Sequence, residues 1–286
     1  GHEGAGTVAA LGRDVRVLRE GDRVVLFPAA SCGACRFCLQ GRESLCETSK
    51  VYGMARDGAL AEYVTAPARC TIALPAAVPF DIGAIVTDGV STPFHALRSR
   101  GALRAGETVA VVGCGGLGTH AIMLARLMGA ACIVAIDVDA GALARARALG
   151  ADITVNPDEE DAAKAVRKHL GGVDLALEFV GMPQTVELAL RVLGKGGRAV
   201  VAGVGTGRAT LPPLLAFVGR EQAVIGSFGM DRCDIVDLFA LIAAGRLDLT
   251  QSISARYPLP QADAALRHLA SKQSGVVRVV VVPDKG

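Results

Sequence analysis

Residues 108–127 read TVAVVGCGGLGTHAIMLARL, and this segment gives the clearest indication of the fold. The apolar segment Val109–Val112 runs into the glycine pattern Gly113-Cys114-Gly115-Gly116-Leu117-Gly118, and a helix-like segment follows it. A second apolar segment, Cys132–Ile136, ends at Asp137, 19 residues after the last glycine of the pattern. A strand, a G-x-G-x-x-G turn, a helix and a later acidic residue are the context in which this pattern binds a dinucleotide.

The residues around the glycine pattern also indicate which dinucleotide it binds. Its glycines permit a tight turn and a close approach of the backbone to a pyrophosphate at a helix N-terminus. Asp137 would accept hydrogen bonds from the adenosine ribose and repel a 2′-phosphate, and neither Arg nor Lys stands at positions 138–140. We therefore expect NAD rather than NADP, bound by Gly113, Gly115, Gly116, Leu117, Gly118 and Asp137. The alternative is a glycine turn that only packs helix on sheet, with Asp137 as a solvated carboxylate.

Apolar strands and amphipathic helices alternate from Thr108 onward. Strands are expected at Val109–Val112, Cys132–Ile136, Asp152–Val155, Val173–Leu177, Arg198–Ala202 and Ala223–Ser227. This alternation predicts an α/β fold built on a Rossmann doubly wound parallel sheet. The uncharged stretch Thr108–Ala125 is broken by glycines, so we expect strand, turn and helix there rather than a membrane span. The first third of the chain consists of short strands and turns instead, and strands are predicted there at Val24–Leu26 and Glu62–Val64.

Composition excludes several classes of protein. The chain has 286 residues, of which 51% are hydrophobic and 20% charged, so it can bury enough apolar surface to offset the entropy of ordering. A net charge of +2 gives no basic surface for nucleic acid. The first residues carry no basic segment followed by an apolar one, so we expect no secretory leader, no membrane partner and a cytoplasmic location.

Four of the eight cysteines lie within fifteen residues, in the pattern Cys32-x₂-Cys35-x₂-Cys38-x₇-Cys46. Four thiolates suit tetrahedral zinc, and a closed shell of four leaves no position for substrate, which predicts a structural zinc site. An iron–sulfur cluster is the alternative, but the bacterial ferredoxin spacing would require a cysteine where Arg42 stands. A nucleic-acid zinc module would require basic charge that the chain lacks. The remaining cysteines are expected to be buried and inert.

These features together resemble the zinc-dependent medium-chain alcohol dehydrogenases. The resemblance is carried by Gly1-His2-Glu3-Gly4-Ala5-Gly6, by the four-cysteine lobe and by the glycine pattern with Asp137, and it covers essentially the whole chain. It implies a GroES-like, β-rich catalytic domain beside the Rossmann domain. We expect residues 1–89 to be catalytic, with the zinc lobe at 32–46, residues 90–228 to bind NAD, and residues 229–286 to return to the catalytic domain.

The resemblance also implies a second, catalytic zinc. His2 matches the family's histidine ligand, Glu3 its neighbouring glutamate, and Asp88 a position where many members carry cysteine. By the same resemblance, Arg278 would reach the cofactor pyrophosphate. The family's remaining cysteine ligand lies upstream of His2, so we expect the N-terminal part of the catalytic domain to be missing from this chain. Alternatives are a cloning scar at the first two residues, an orienting role for Glu3, Asp88 as the N-cap of a helix near Val90, and Arg278 as an exposed strand residue.

The activity implied by the resemblance is hydride transfer between an alcohol or polyol and NAD⁺, giving an aldehyde or ketone. The expected partners are a small-molecule substrate and further copies of the chain, in a homodimer or homotetramer. One alternative is a zinc-free quinone reductase, which would leave the cysteine lobe unexplained. A second alternative is a truncated, catalytically inactive fragment that binds NAD and zinc.

Overall fold

The computed structural model describes residues 1–271 and 275–283; residues 272–274 and 284–286 of the predicted segment 229–286 lie outside the described residues. The strands are β1 (Ala5–Thr7), β2 (Arg23–Leu26), β3 (Ala29–Ala30), β4 (Lys50–Val51), β5 (Thr71–Ala73), β6 (Thr108–Val112), β7 (Cys132–Ile136), β8 (Ile153–Val155), β9 (Val173–Glu178), β10 (Leu193–Val201), β11 (Ala223–Gly226), β12 (Ile253–Pro258) and β13 (Arg278–Val282). The helices are α1 (Arg36–Leu39), α2 (Phe80–Ile85), α3 (Ser91–His95), α4 (Gly116–Leu127), α5 (Ala140–Ala148), α6 (Ala162–Leu170), α7 (Pro183–Arg191), α8 (Leu214–Gly219), α9 (Arg232–Ala243) and α10 (Ala262–Ala270). π-Helical segments, Val86–Val90 and Ala96–Arg100, follow α2 and α3.

The chain divides into two compact units. The first comprises Gly1–Ser91 and Gly229–Gly286, and the second comprises Thr92–Phe228. The first unit is therefore built from two separate stretches of chain, and the second from the stretch between them.

A six-stranded parallel sheet forms the centre of the second unit, in the order β11-β10-β9-β6-β7-β8. The first strand of the unit, β6, lies beside both β7 and β9, so the strand order reverses at β6. This is the Rossmann order, and it places a ligand crevice at the carboxyl ends of β6 and β9. The Rossmann-type parallel sheet predicted from the alternation of strands and helices is confirmed.

Apolar strands buried on both faces hold this sheet together. Val109, Val111, Leu175 and Leu177 are each fully buried, as expected for strands covered by helices on both sides. Local signals fix the helix ends. The Asp161 carboxylate accepts the N–H of Lys164 at the start of α6, and Gly171 ends that helix in the left-handed region.

The first unit contains a three-stranded antiparallel sheet, β1-β2-β5, a parallel pair, β12-β13, and a short antiparallel pair, β3-β4. Its buried side chains include Val25, Phe27 and Tyr52. The predicted strand at Glu62–Val64 is wrong, because this segment has no regular secondary structure. Tyr63 is 78% exposed, so the apolar residues of the segment do not form a buried face.

The uncharged stretch Thr108–Ala125 forms β6, the glycine turn and most of α4, as predicted. Within residues 1–271 and 275–283, the helices are all too short or too polar to cross a membrane.

Candidate functional site

The four clustered cysteines converge on one point of the first unit. The Sγ atoms of Cys32, Cys35, Cys38 and Cys46 all lie within 4.8 Å of one another. Sγ of Cys32 and Sγ of Cys38 are 3.9 Å apart. Four sulfurs at tetrahedral zinc would be separated by about 3.8 Å, because Zn–S bonds measure about 2.3 Å. The dimensions of the cluster therefore fit a zinc ion.

Backbone N–H groups stabilise the thiolate form of Cys32, which is the form that binds metal. Sγ of Cys32 accepts hydrogen bonds from the N–H groups of Ala34 and Cys35, at 3.4 and 3.3 Å, and these bonds lower the pKa of its thiol to about 6. The turn depends on Gly33, whose φ of +76° favours glycine. Sγ of Cys46 accepts a hydrogen bond from the N–H of Cys32 at 3.3 Å, which joins the last cysteine of the pattern to the first.

Arg69, which no sequence motif indicates, braces this turn from outside the cysteine pattern. Its Nε and Nη2 atoms both donate to the carbonyl of Ser31, at 2.8 and 2.5 Å, directly before Cys32. Its Cδ lies so close to Gly33 that a Cβ there would be only 2.9 Å away. The guanidinium of Arg232 in turn donates to the carbonyl of Arg69 at 2.5 Å. A lone arginine distant in sequence gives no signal of such a contact.

A second potential metal site lies in the same unit. The ligand atoms of His2, Glu3 and Asp88 all lie within 4.8 Å of one another, and Nε2 of His2 is 3.2 Å from Oδ2 of Asp88. Nitrogen and oxygen ligands of tetrahedral zinc would be separated by about 3.4 Å. One nitrogen and two carboxylate oxygens at this spacing fit a zinc ion with a fourth position left for another ligand.

Backbone structure places the two distant ligands. His2 lies in the irregular segment directly before β1, and Asp88 lies inside the π-helical segment Val86–Val90. Such segments are frequent at functional sites, because the widened turn redirects a side chain. The alternative of Asp88 as an N-cap is wrong, because the residues flanking the segment, Ile85 and Ser91, also have helical backbone angles.

Hydrogen bonding, burial and neighbouring charges shift the pKa values of His2 and Glu3 in this group. The hydrogen bond to Asp88 raises the pKa of His2, against the opposing effect of burial. Burial raises the pKa of Glu3, and the positive charge of Arg278 opposes that rise. Nη1 of Arg278 lies 3.4 Å from Oε1 of Glu3. A divalent cation in this group would favour the ionised form of both carboxylates.

Arg278 is not an exposed strand residue, because only 18% of its side chain is accessible. Its guanidinium packs against Gly89, where a Cβ would lie 2.1 Å from Nη2. Nε and Nη2 of Arg278 are buried and have no hydrogen-bond partner in the part of the chain that the structure describes. The structure thus brings Arg278 to Glu3 and leaves two of its donors available; its predicted contact with a cofactor pyrophosphate stays a prediction.

The glycine pattern adopts the geometry of a dinucleotide loop in the second unit. Gly113 has a φ of +87°, and a Cβ at Gly118 would lie 1.9 Å from the carbonyl oxygen of Gly113. A Cβ at Gly115 would meet no atom within 4 Å, so the backbone there is open to a ligand. Gly116, Leu117 and Gly118 form the first turn of α4, whose N–H groups have no partner within the helix.

Asp137 lies at the end of β7 and contacts this loop. Its Oδ2 accepts the N–H of Cys114 at 2.6 Å, and its Oδ1 accepts the N–H of Asp139 at 2.9 Å. Cys114 itself is fully buried, and burial raises the pKa of its thiol to about 12, which agrees with an inert role. The expectation that the cysteines outside the cluster are buried is wrong for Cys132, which is half-buried, and for Cys233, which is exposed. Arg145, which no sequence motif indicates, donates to the carbonyl of Cys114 at 3.2 Å and so also contacts the loop.

A further residue that sequence analysis missed is Glu178, the last residue of β9. It is completely buried, and its Oε1 accepts hydrogen bonds from the chain that follows the strand. The available signal was a charged residue at the end of the apolar run 175–177, since carboxylates are seldom fully buried unless they have partners.

Comparisons with known proteins decide the family. The profile described as alcohol dehydrogenase GroES-like domain matches residues 1–76, and the profile described as zinc-binding dehydrogenase matches residues 116–244. An alcohol dehydrogenase of Geobacillus stearothermophilus is 34% identical over 248 residues, which cover 86% of this chain and 73% of that protein. The chain belongs to the zinc-dependent medium-chain alcohol dehydrogenase family.

Further members of the family match over almost the whole chain. An L-threonine 3-dehydrogenase of Symbiobacterium thermophilum is 32% identical over 288 residues, covering 99% of this chain and 81% of that protein. The solved structure of the alcohol dehydrogenase TADH from Thermus sp. ATN1 matches with a TM-score of 0.92 and 32% identity, covering 99% of this chain and 84% of that one. Family membership confirms the predicted fold and the predicted class of zinc-dependent oxidoreductase, and the inactive fragment is not favoured.

Proposed function

We propose that this chain oxidises the hydroxyl group of a small alcohol or polyol with NAD⁺, and reduces the corresponding aldehyde or ketone in the reverse direction. The observation that carries the proposal is the convergence of His2 and Asp88, whose ligand atoms lie 3.2 Å apart. Glu3 completes a three-ligand group of the kind that catalytic zinc sites use. The cysteine cluster offers no open position and would hold a structural zinc.

The residues of the proposed catalytic group have distinct tasks. His2 and Asp88 would bind the metal directly, and Glu3 would either bind it or orient the other two. Arg278 neutralises one of the two carboxylates, so the group does not carry an uncompensated double negative charge. A zinc ion bound there supplies a Lewis acid that lowers the pKa of a substrate hydroxyl.

The loop Gly113–Gly118 would hold the cofactor. Its open backbone at Gly115 and the first N–H groups of α4 suit a pyrophosphate, and Asp137 suits the hydroxyls of an adenosine ribose. The carboxylate of Asp137 would repel a 2′-phosphate, which favours NAD. Bound NAD⁺ supplies the hydride acceptor, while the protein supplies position and charge.

The substrate class, location and assembly belong to the same proposal. The relatives are named for alcohols and for L-threonine, whose side chain is a secondary alcohol. A small molecule with a primary or secondary hydroxyl is therefore proposed as substrate. Four clustered thiols without disulfides suit a reducing compartment, which supports a cytoplasmic location. A homodimer or homotetramer is proposed by resemblance to the family.

Initial-rate kinetics test this function. The zinc-loaded protein is incubated with a panel of primary alcohols, secondary alcohols and polyols, and NADH formation is followed by absorbance. We expect turnover with NAD⁺ to exceed turnover with NADP⁺ and to stop when a chelator removes the metal. Binding of NADH without oxidation of any alcohol in the panel would reject the proposed function.

A further inference from the structure

Glu178 lies where the central strand β9 ends, inside the cofactor-binding unit. Its side chain is completely buried. Oε1 accepts hydrogen bonds from the N–H groups of Val180 and Gly181 and from the hydroxyl of Thr185, all at 2.8 Å. Burying a carboxylate is costly unless it is hydrogen-bonded, so the three bonds to Oε1 offset part of that cost. They also fix the path of the chain as it leaves β9.

The segment that follows β9 packs directly against the glycine loop. The N–H of Phe179 donates to the carbonyl of Val112, the last residue of β6, at 3.0 Å. The next side chain, that of Val180, covers Gly113, because a Cβ on Gly113 would lie 2.6 Å from Cγ2 of Val180. Gly113 begins the loop and has a φ of +87°. The hydrogen bonds of Glu178 therefore set the position of the side chain that packs against the start of the loop.

On its other side, the same segment packs against the end of β10. A Cβ at Gly203 would lie 2.1 Å from the backbone nitrogen of Gly181 and 2.6 Å from Oε2 of Glu178. A Cβ at Gly205 would lie 2.0 Å from the carbonyl oxygen of Gly181. Oε2 of Glu178 is buried and has no hydrogen-bond partner among the described residues. The turn after β9 is thus held between two glycine-bearing segments at the carboxyl edge of the sheet.

We propose that Glu178 is a positioning residue for the dinucleotide loop: by holding Val180 and Gly181, it keeps the Val180 side chain against Gly113 and so maintains the loop in its binding shape. The inference rests on the proposed binding of NAD by Gly113–Gly118. Because Glu178 is buried beneath the turn, it acts through Val180 and need not touch the cofactor. Its loss should weaken NAD binding and leave the binding of alcohol unchanged.

Paired substitutions separate this role from a merely structural one. In Glu178→Gln one side-chain oxygen still accepts hydrogen bonds, so its Kd for NADH should stay within about threefold of wild type. Glu178→Leu has a similar volume and no acceptor, and its Kd for NADH and KM for NAD⁺ should each rise about tenfold or more. Its KM for alcohol and its kcat at saturating NAD⁺ should change by less than about threefold. Thr185→Val removes one donor and is the matched control, with a small effect expected.

A fourth variant leaves the Glu178 carboxylate in place and alters the side chain through which it is proposed to act. Val180→Ala keeps every hydrogen bond of Glu178 and removes the contact with Gly113, so its Kd for NADH should rise by about threefold to tenfold. This variant keeps the inference testable if Glu178→Leu fails to fold. Unchanged NADH binding in folded Glu178→Leu, or in Val180→Ala when the leucine variant is unfolded, would overturn the inference.

Hydrogen exchange distinguishes this inference from the proposed function. Amide exchange in residues 113–118 of the cofactor-free protein should become faster in Glu178→Leu and stay near wild type in Glu178→Gln. Faster exchange in a protein that does not bind NADH even as wild type would reject the NAD proposal and retain the positioning role. Unchanged exchange in the folded leucine variant would reject the positioning role itself.

Discussion

Nε2 of His2 lies 3.2 Å from Oδ2 of Asp88, although 86 residues separate them in the chain. One residue stands next to a short strand and the other inside a π-helical segment, so the fold of the first unit is what joins them. Glu3 lies beside them and Arg278 pairs with Glu3, so four ionisable side chains form one cluster. The chemistry proposed for this chain depends on that group.

Removing Asp88 tests the proposed catalytic metal site. Asp88→Ala should lose one zinc ion per chain and lower kcat/KM for alcohol by about 100-fold or more, because even residues that only support metal ligands contribute 10- to 100-fold. NADH binding should be unchanged, since Asp88 is not among the residues proposed to hold the cofactor. Metal analysis and NADH fluorescence on the same sample check this, and Asp81→Ala is the control because Asp81 pairs with Arg256 outside the group. Full activity in Asp88→Ala would contradict the assignment.

Removing one cysteine tests the structural site. Cys46→Ser should lose the zinc ion of the cysteine cluster. It should also lower the melting temperature, because structural zinc contributes directly to folding. The catalytic metal should be retained in the molecules that stay folded. The control is Cys132→Ser, which alters a cysteine in β7 outside the cluster. A Cys46→Ser protein that keeps the zinc content and melting temperature of wild type would show that the cluster holds no metal.

Arg69 should slow the loss of that structural zinc. Its two donors hold the carbonyl of Ser31 next to Cys32, so Arg69→Ala should speed zinc release to a chromogenic chelator by about tenfold. Arg69→Lys keeps the charge and loses the forked geometry, so an intermediate rate is expected. Arg36→Ala is the matched control, because the Arg36 side chain is 74% exposed. Equal release rates in all four proteins would refute the bracing role.

Asp137 should set the preference for NAD over NADP. Asp137→Asn keeps an acceptor for the N–H of Cys114 and removes the negative charge that would repel a 2′-phosphate. The ratio of kcat/KM with NADP⁺ to kcat/KM with NAD⁺ should rise about tenfold. Asp139→Asn is the control, since it changes a neighbouring charge at the N-cap of α5 and asparagine also caps helices well. A ratio that is the same in both variants and wild type would remove Asp137 from cofactor selection.

Acid should weaken the second unit through Glu107. Burial alone would raise the pKa of Glu107, but hydrogen bonds from Arg198 and from the N–H of Arg104 outweigh it and hold the pKa below its usual value. A lowered pKa contributes stability at neutral pH that is lost as the pH falls below the usual carboxyl range. Melting temperatures measured from about pH 7 to about pH 3 should fall less steeply in Glu107→Gln than in wild type. Parallel curves would contradict this.

Much of the fold could be predicted because its signals are local. The apolar strands, the glycine turn and Asp137 lie within 30 residues, 108–137, and this stretch alone indicates a parallel sheet and a dinucleotide loop. The segment Glu62–Val64 has strand-forming residues and yet forms no strand, because a strand also requires a neighbour with which to pair. That neighbour is a property of the tertiary fold, which local sequence does not reveal.

The candidate sites divide in the same way. The cysteine cluster could be predicted because its ligands lie within fifteen residues, 32–46, and their spacing suits one metal. His2 and Asp88 were paired only through the resemblance to a family, since nothing in their local sequence connects them. The roles of Arg69 and Glu178 could not be predicted, because each contacts mainly backbone groups, which any residue type can provide. For Glu178 the sequence indicates at most a buried carboxylate at the end of an apolar run.

The most direct test is the number of zinc ions bound per chain, measured with NAD⁺-linked alcohol oxidation on the same preparation. We expect two zinc ions and turnover in the wild-type protein, and one zinc ion, normal NADH binding and almost no turnover in Asp88→Ala. One zinc ion in the wild type, with NADH binding and no oxidation of any alcohol, would show that His2, Glu3 and Asp88 do not form a catalytic zinc site.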